Sequence, residues 1–170
     1  VHTAWDLASG QSKTSDEMAI WFFQGTPEGL RVINYEHARG MGIGEWAEKL
    51  FSLPYMYGRH IAPHDIRVGE FGTGETRIEA AAKHGILFEV APSVSINDGI
   101  QAARSLMAHC LFDEESCSDG IEALTSYRNE YDEEKRVLRL TPVHDWSEHG
   151  SSAFRYLALS VNIGTQMGDT

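Results

Sequence analysis

The chain has 170 residues, of which 42% are hydrophobic and 23% charged, a balance typical of one globular domain with a core of ordinary size. Its 25 acidic and 14 basic residues leave a formal net charge of −11, which argues against a module that grips nucleic acid through overall positive charge. No apolar run is long enough to span a membrane, and the start carries no signal-peptide pattern, so we expect no membrane contact.

The first part of the chain predicts an antiparallel meander of three strands. These are Ala4–Leu7, the continuous apolar run Met18–Gln24 and the β-branched segment Leu30–His37. An apolar run without alternation is typical of a strand buried on both faces. We therefore expect the aromatic side chains of Met18–Gln24 to lie in the core rather than to stack on bases.

Helices and strands alternate in the rest of the chain. The predicted helices are Ile43–Leu53, Arg77–His84, Asn97–His109, Glu115–Tyr131 and a last one from near Asp145 to about Val161. The predicted strands are Arg59–Pro63, Ile86–Val90, Cys110–Phe112 and Arg136–Leu140. This order predicts one α/β domain with a mixed sheet flanked by helices. The sequence has neither the phosphate-cradling loop of an ATPase nor the elbow of a serine hydrolase.

Three carboxylates stand where predicted elements end or begin. Asp6 ends the first strand, Asp65 follows a later strand, and Asp145 precedes the last helix. Mg²⁺ and Mn²⁺ prefer carboxylate oxygen, and a pair of such ions can hold both sides of a phosphate during hydrolysis. Each residue also has a structural interpretation, because aspartates form turns and cap helices.

The segment from Asp145 to His149 predicts a ligand pair. If a helix begins at Asp145, the spacing of four residues places both side chains on one face of its first turns. An imidazole beside carboxylates favours manganese over magnesium. The alternative, which the sequence leaves open, is that Asp145 or Ser147 caps the helix.

Short motifs follow one another in a defined order along almost the whole chain. They are Trp5–Leu7 with Asp16 and Ala19–Gln24, Tyr57–His60 with Pro63–Asp65, Arg77–Glu79, Asp98–Ile100, Gly120–Leu124, and His144–Ser147 with His149–Gly150 and Ala153–Ala158. In this order and spacing they resemble the C-terminal nuclease domain of the large terminase subunit of tailed bacteriophages.

The resemblance implies a ribonuclease H-like fold, with a three-strand antiparallel meander extended by parallel strands. It also implies an endonuclease that cuts concatemeric double-stranded phage DNA during genome packaging, by hydrolysis with two divalent ions, Mg²⁺ or Mn²⁺. Residues 1–170 would form this single domain, as a fragment of a longer protein whose N-terminal ATPase domain is absent. The implied partners are DNA, the small terminase subunit and the portal, in the cytoplasm of the infected host.

Carried over by position, the resemblance makes Asp6 and Asp65 catalytic metal ligands. The third ligand falls between residues 144 and 152, and we assign it to Asp145 together with His149. Similar sequences often carry Asp where this chain has Ser152. The residues expected to support the metal site from outside its ligands are Asp16, His64 and Glu148, and those expected to contact DNA phosphates are Arg59, Arg67, Arg77 and Lys83. For these four cations, a solvated surface face is the competing interpretation.

Other functions compete with this one. The dipeptides His64-Asp65 and His144-Asp145 suggest a metal phosphohydrolase of the HD type, but such enzymes resemble an all-helical bundle, whereas His64 here follows a predicted strand. A resolvase-like nuclease acting on branched DNA would share the fold and the metals. A non-catalytic module that docks on the packaging motor is the third alternative, favoured if His149 does not compensate for the acid missing at Ser152.

Overall fold

The computed structural model describes residues 1–7, 17–67 and 74–161. Within these ranges the strands are β1 (His2–Asp6), β2 (Met18–Thr26), β3 (Gly29–Ala38), β4 (His60–Ala62), β5 (Phe88–Val90), β6 (Cys110–Phe112), β7 (Asn129–Asp132) and β8 (Val137–Pro142). The helices are α1 (Ile43–Ser52), α2 (Arg77–Lys83), α3 (Ile96–Met107), α4 (Ser118–Ser126) and α5 (Ser147–Ser160), and a 3-10 turn spans His64–Arg67. In these described ranges, no helix combines the length and apolar character that crossing a membrane requires.

Six strands form one mixed sheet in the order β5-β4-β1-β2-β3-β6. The antiparallel meander β1–β2–β3 predicted from the sequence is confirmed. Strand β4 pairs in parallel with β1, β5 with β4, and β6 with β3. Because β1, β4 and β5 run in the same direction, their carboxyl ends meet at one edge of the sheet, which is where open α/β sheets bind ligands.

The sheet is covered on both faces, as the unbroken apolar run in β2 predicts. Ala19, Trp21 and Phe23 point into one core cluster, and Ile20 and Phe22 point into the other. Helices α3, α4 and α5 contribute to the first cluster, and α1 and α2 to the second. The result is a three-layer arrangement in which the aromatic side chains of β2 lie in the core, as predicted.

Helix α5 lies against the sheet at very short range. The indole N–H of Trp21 donates to the carbonyl of Gly150 at 2.8 Å. A Cβ added to Gly150 would stand 2.7 Å from the Tyr35 hydroxyl, so only glycine lets the helix approach this closely. This contact fixes the first turns of α5 beside the end of β1.

Two sequence predictions about the C-terminal half are wrong. The helix predicted over Glu115–Tyr131 ends at Ser126, and Asn129–Asp132 is instead the strand β7, which pairs with β8 in a separate two-stranded sheet. Charged residues suit an exposed helix and an exposed hairpin equally, so cross-strand pairing decided the outcome. The last helix begins at Ser147 rather than near Asp145, with consequences for the site.

Candidate functional site

A cavity of about 610 Å³ opens at the edge of the sheet where β1, β4 and β5 end. Asp6 reaches it as the last residue of β1, and Asp65 reaches it from the 3-10 turn after β4. Asp145, Glu148 and His149 reach it from the start of α5. The structure therefore brings Asp6, Asp65 and Asp145 to one cavity, although 139 positions separate the first from the last in the sequence.

Asp6 is the most enclosed carboxylate of the site. Its side chain is 17% exposed and its Oδ2 lies 3.0 Å from Nδ1 of His149. Burial raises the pKa of Asp6 above its ordinary value, an effect partly offset by the hydrogen bond and charge of His149 and by the charge of Arg155. The hydrogen bond with Asp6 raises the pKa of His149, against the opposing effect of burial. An enclosed carboxylate of this kind is one that a bound cation would stabilise.

Asp145 is engaged in two other interactions. Its Oδ1 accepts hydrogen bonds from the backbone N–H of Ser147 at 2.9 Å and from the Ser147 hydroxyl at 2.5 Å. Its Oδ2 accepts from Arg128 at 2.9 Å. Asp145 therefore satisfies a free amide at the start of α5, which is the structural alternative left open by the sequence. Because the helix begins two residues after it, Asp145 and His149 do not form the one-face pair that the spacing predicted, and its role as a ligand stays a prediction.

Two of the three residues predicted to support the metal site lie at the cavity. His64 and Glu148 line the cavity, and the carboxylate of Glu148 pairs with His144. The hydroxyl of Ser152, where the resemblance implies an acid, accepts a hydrogen bond from Arg155 at 2.7 Å. Asp16 lies outside the described residues.

The donor set fits a hard divalent ion in its chemistry, because carboxylate oxygens with one imidazole are ligands that Mg²⁺ and Mn²⁺ accept. The geometry, however, is not that of a formed centre. Across residues 1–7, 17–67 and 74–161, no three histidine, cysteine or carboxylate side chains stand close enough together to hold one ion.

The predicted DNA-binding cations do not act as a group. Arg77, the first residue of α2, lines the cavity. Arg59 precedes β4 and lies at the opposite end of that strand from Asp65, where Glu89 binds its guanidinium. Lys83 pairs with Glu75 at 2.5 Å. Arg67 is exposed at the end of the 3-10 turn but does not line the cavity. Strand β4 therefore separates Arg59 from Asp65, and the contact of Arg59 with DNA stays a prediction.

Sequence reasoning missed two cations and a phenol. Arg39, Arg155 and Tyr156 all line the cavity, and burial raises the pKa of Tyr156 to about 12. A helical repeat could have revealed Arg155, because Glu148, Ser152, Arg155 and Leu159 follow one another at spacings of three and four, which defines one face of a helix. No comparable signal marks Arg39, which reaches the cavity because β3 runs antiparallel to β2.

No protein-family model matches the sequence, and no curated protein sequence matches it significantly. Solved structures do match. The large terminase of the thermophilic bacteriophage D6E in complex with ATP-gamma-S has a TM-score of 0.67 and 17% identity, over 92% of this chain and 38% of that one. The nuclease domain of the large terminase from bacteriophage SPP1 with bound Mn has a TM-score of 0.60 and 17% identity, over 91% and 82% of the two chains. The nuclease of the large terminase from thermophilic phage G20c with bound magnesium has a TM-score of 0.57 and 15% identity, over 94% and 80%.

These similarities confirm the resemblance at the level of the fold. The mixed six-stranded sheet with its flanking helices is the ribonuclease H-like fold of large-terminase nuclease domains. The chain spans about two fifths of the length of the D6E protein and about four fifths of the separate nuclease domains.

Proposed function

We propose that this chain is a divalent-metal-dependent endonuclease that cuts double-stranded DNA during phage genome packaging. The observation that supports the proposal is the shared cavity of Asp6, Asp65 and Asp145 on a terminase-nuclease fold. Two nuclease domains of the same fold were solved with Mn and with magnesium, which fits the carboxylate-rich donor set. In the whole protein, an N-terminal ATPase domain, the small terminase subunit and the portal would supply the motor and the choice of cutting site in the host cytoplasm.

The residues have separate tasks in this proposal. Asp6, Asp65 and Asp145, with His149, would hold the ions, and Glu148 and His64 would support them. Bound divalent ions would supply an activated water and neutralise the leaving oxygen. Arg77 would position the backbone phosphate, since such contacts orient DNA without reading its sequence.

The test is cleavage of supercoiled plasmid in Mg²⁺, in Mn²⁺ and in EDTA. We expect metal-dependent nicking and linearisation that falls at least about a hundredfold in Asp6→Asn and in Asp65→Asn, because each removes charge stabilisation from the reacting phosphate. The matched control is Glu89→Gln, which removes the same charge at the opposite end of the sheet and should cleave like the wild type.

Other outcomes would assign a different function. A preference for four-way junctions over linear duplex would indicate a resolvase-like nuclease. Absence of cleavage with either metal would indicate a docking module of the packaging motor, an alternative that the engagement of Asp145 by Arg128 favours.

A further inference from the structure

Arg155 is a cation of the site that uses few of its hydrogen-bond donors within the described residues. It lies on α5 and lines the cavity with the carboxylates. Its Nη2 donates to the Ser152 hydroxyl at 2.7 Å, and its buried Nε has no hydrogen-bond partner. Within residues 1–7, 17–67 and 74–161 it forms no ion pair with a carboxylate. A guanidinium offers five donors, so this side chain retains capacity for an anion.

The stem of Arg155 packs against Gly99 of helix α3. A Cβ added to Gly99 of α3 would stand 3.4 Å from Cδ of Arg155 and 3.7 Å from its Cβ. The stem of Arg155 therefore passes over a helix position that has no side chain. Ser95 caps this helix by accepting from the backbone N–H of Asp98 at 3.1 Å, which fixes Gly99 in the first turn.

The charge at the tip of that stem lies beside Ser152, whose hydroxyl accepts from Nη2 at 2.7 Å. A carboxylate at that position would lie within reach of the guanidinium and would pair with it. The neutral hydroxyl instead holds Arg155 by one hydrogen bond, so the guanidinium has no ion pair within the described residues, although its charge acts on Asp6 across the cavity. A half-buried, unpaired cation is unfavourable unless an anion completes it, and a planar guanidinium matches the oxygens of a phosphate.

We propose that Arg155 contacts a phosphate of the DNA bound in this cavity. The inference rests on the proposed function and deepens it, since it assigns a phosphate contact to a named residue of α5. Asp6, Asp65 and Asp145 would then face the metal side of the phosphate, and Arg155 would face its remaining oxygens.

The experiment compares Arg155→Gln and Arg155→Lys with the wild-type chain. Binding of a short labelled DNA duplex is measured by fluorescence anisotropy in Ca²⁺ at several salt concentrations, and binding of Mn²⁺ alone is measured by calorimetry. We expect Arg155→Gln to weaken DNA binding about tenfold, the loss of one charge-assisted hydrogen bond, and to reduce the salt slope by about one. Arg155→Lys should be intermediate, because lysine keeps the charge but loses the planar fork.

Mn²⁺ binding distinguishes this contact from a structural role. Removing a cation beside the ligands should leave the Mn²⁺ affinity of Arg155→Gln unchanged or higher. The matched control is Arg31→Gln, which removes an exposed arginine of β3 and should keep wild-type DNA binding.

Three results would overturn the proposal. They are DNA affinity of Arg155→Gln within about twofold of the wild type, an equal loss in Arg31→Gln, and loss of Mn²⁺ binding in Arg155→Gln. In each case, a wild-type chain that still binds Mn²⁺ and cleaves plasmid would leave the proposed function intact. A wild-type chain that does neither would overturn both.

Discussion

The charged side chains at the two ends of strands β1 and β4 differ in their surroundings. Those at one end pair with each other, and those at the other end line a cavity. At the end where the strands begin, Arg59 donates to both carboxylate oxygens of Glu89, at 2.8 and 2.6 Å, and to the carbonyl of Ser160 at 3.1 Å. The buried His60 lies 2.6 Å from the Thr3 hydroxyl. At this end, partners among the described residues hold Arg59, Glu89 and His60.

At the end where the strands finish, the charges face a cavity. Asp6, Asp65 and Asp145 line it together with Arg77 and Arg155, and burial raises the pKa of Asp6. Asp6 and Asp145 also have partners at this end, His149 and Arg128, but they line a cavity that is open to a ligand, and a carboxylate with a shifted pKa in a cavity marks a candidate binding site. We therefore expect substitutions at the first end to affect stability and substitutions at the second end to affect binding.

The largest expected effect on stability is the pH response of His60. Burial lowers the pKa of His60 to about 4, helped by the nearby charges of His2 and the N-terminus. The unfolded chain takes up this proton near pH 6.5, so between pH 6.5 and about pH 4 the unfolded state binds more protons. The contribution of neutral His60 to the free energy of unfolding is therefore complete above pH 6.5. It decreases as the pH is lowered toward about 4, by up to about 3 kcal/mol.

Urea unfolding across this pH range tests the prediction. His60→Asn, which cannot titrate, should flatten the pH dependence of the unfolding free energy relative to the wild type. The exposed His109 provides the control, since His109→Asn should keep the wild-type slope. If His60→Asn and the wild type show the same slope, His60 is not held neutral by the fold.

The next effect is that of Arg59→Gln. It removes a two-pronged ion pair whose members are partly exposed, so we expect a loss of about 1 kcal/mol in the free energy of unfolding. Plasmid cleavage should stay at the wild-type rate because Arg59 is remote from the cavity. A large loss of cleavage without loss of stability would show that Arg59 contacts DNA, as the sequence predicted.

The smallest effect is that of Arg128→Gln at the cavity end. The variant removes the ion pair that engages Oδ2 of Asp145, and a partly exposed pair of this kind contributes up to about 1 kcal/mol. We therefore expect calorimetry to show Mn²⁺ affinity rising by at most about fivefold. The same change made in an Asp145→Asn chain should have no effect. Equal Mn²⁺ affinities for Arg128→Gln and the wild type would argue against Asp145 as a ligand.

Much of the fold was predictable because local patterns in the sequence agree with the tertiary structure. The apolar run of β2 is buried on both faces, as its lack of alternation requires. Helix α3 begins after Ser95, as its capping signal predicts. Only half of the C-terminal hairpin was predicted. The strand predicted over Arg136–Leu140 overlaps β8, but β7 was taken as the end of a helix because no apolar periodicity marks it.

The sequence alone determined which carboxylates to examine. Asp6, Asp65 and Asp145 were chosen because they stand at the ends of elements, and parallel strands place such ends at one edge of the sheet. That reasoning depends only on where elements begin and end, and the three residues that it selected line one cavity in the structure.

The partners of each side chain in the cavity follow from tertiary contacts. Arg128, from the connection between α4 and β7, engages Asp145, and Asp6 engages His149. The stem of Arg155 packs against Gly99 of α3, with Cδ 3.4 Å from the position of a Cβ added there. These contacts join residues far apart in the sequence, and their strength depends on burial and distance, which no local pattern encodes.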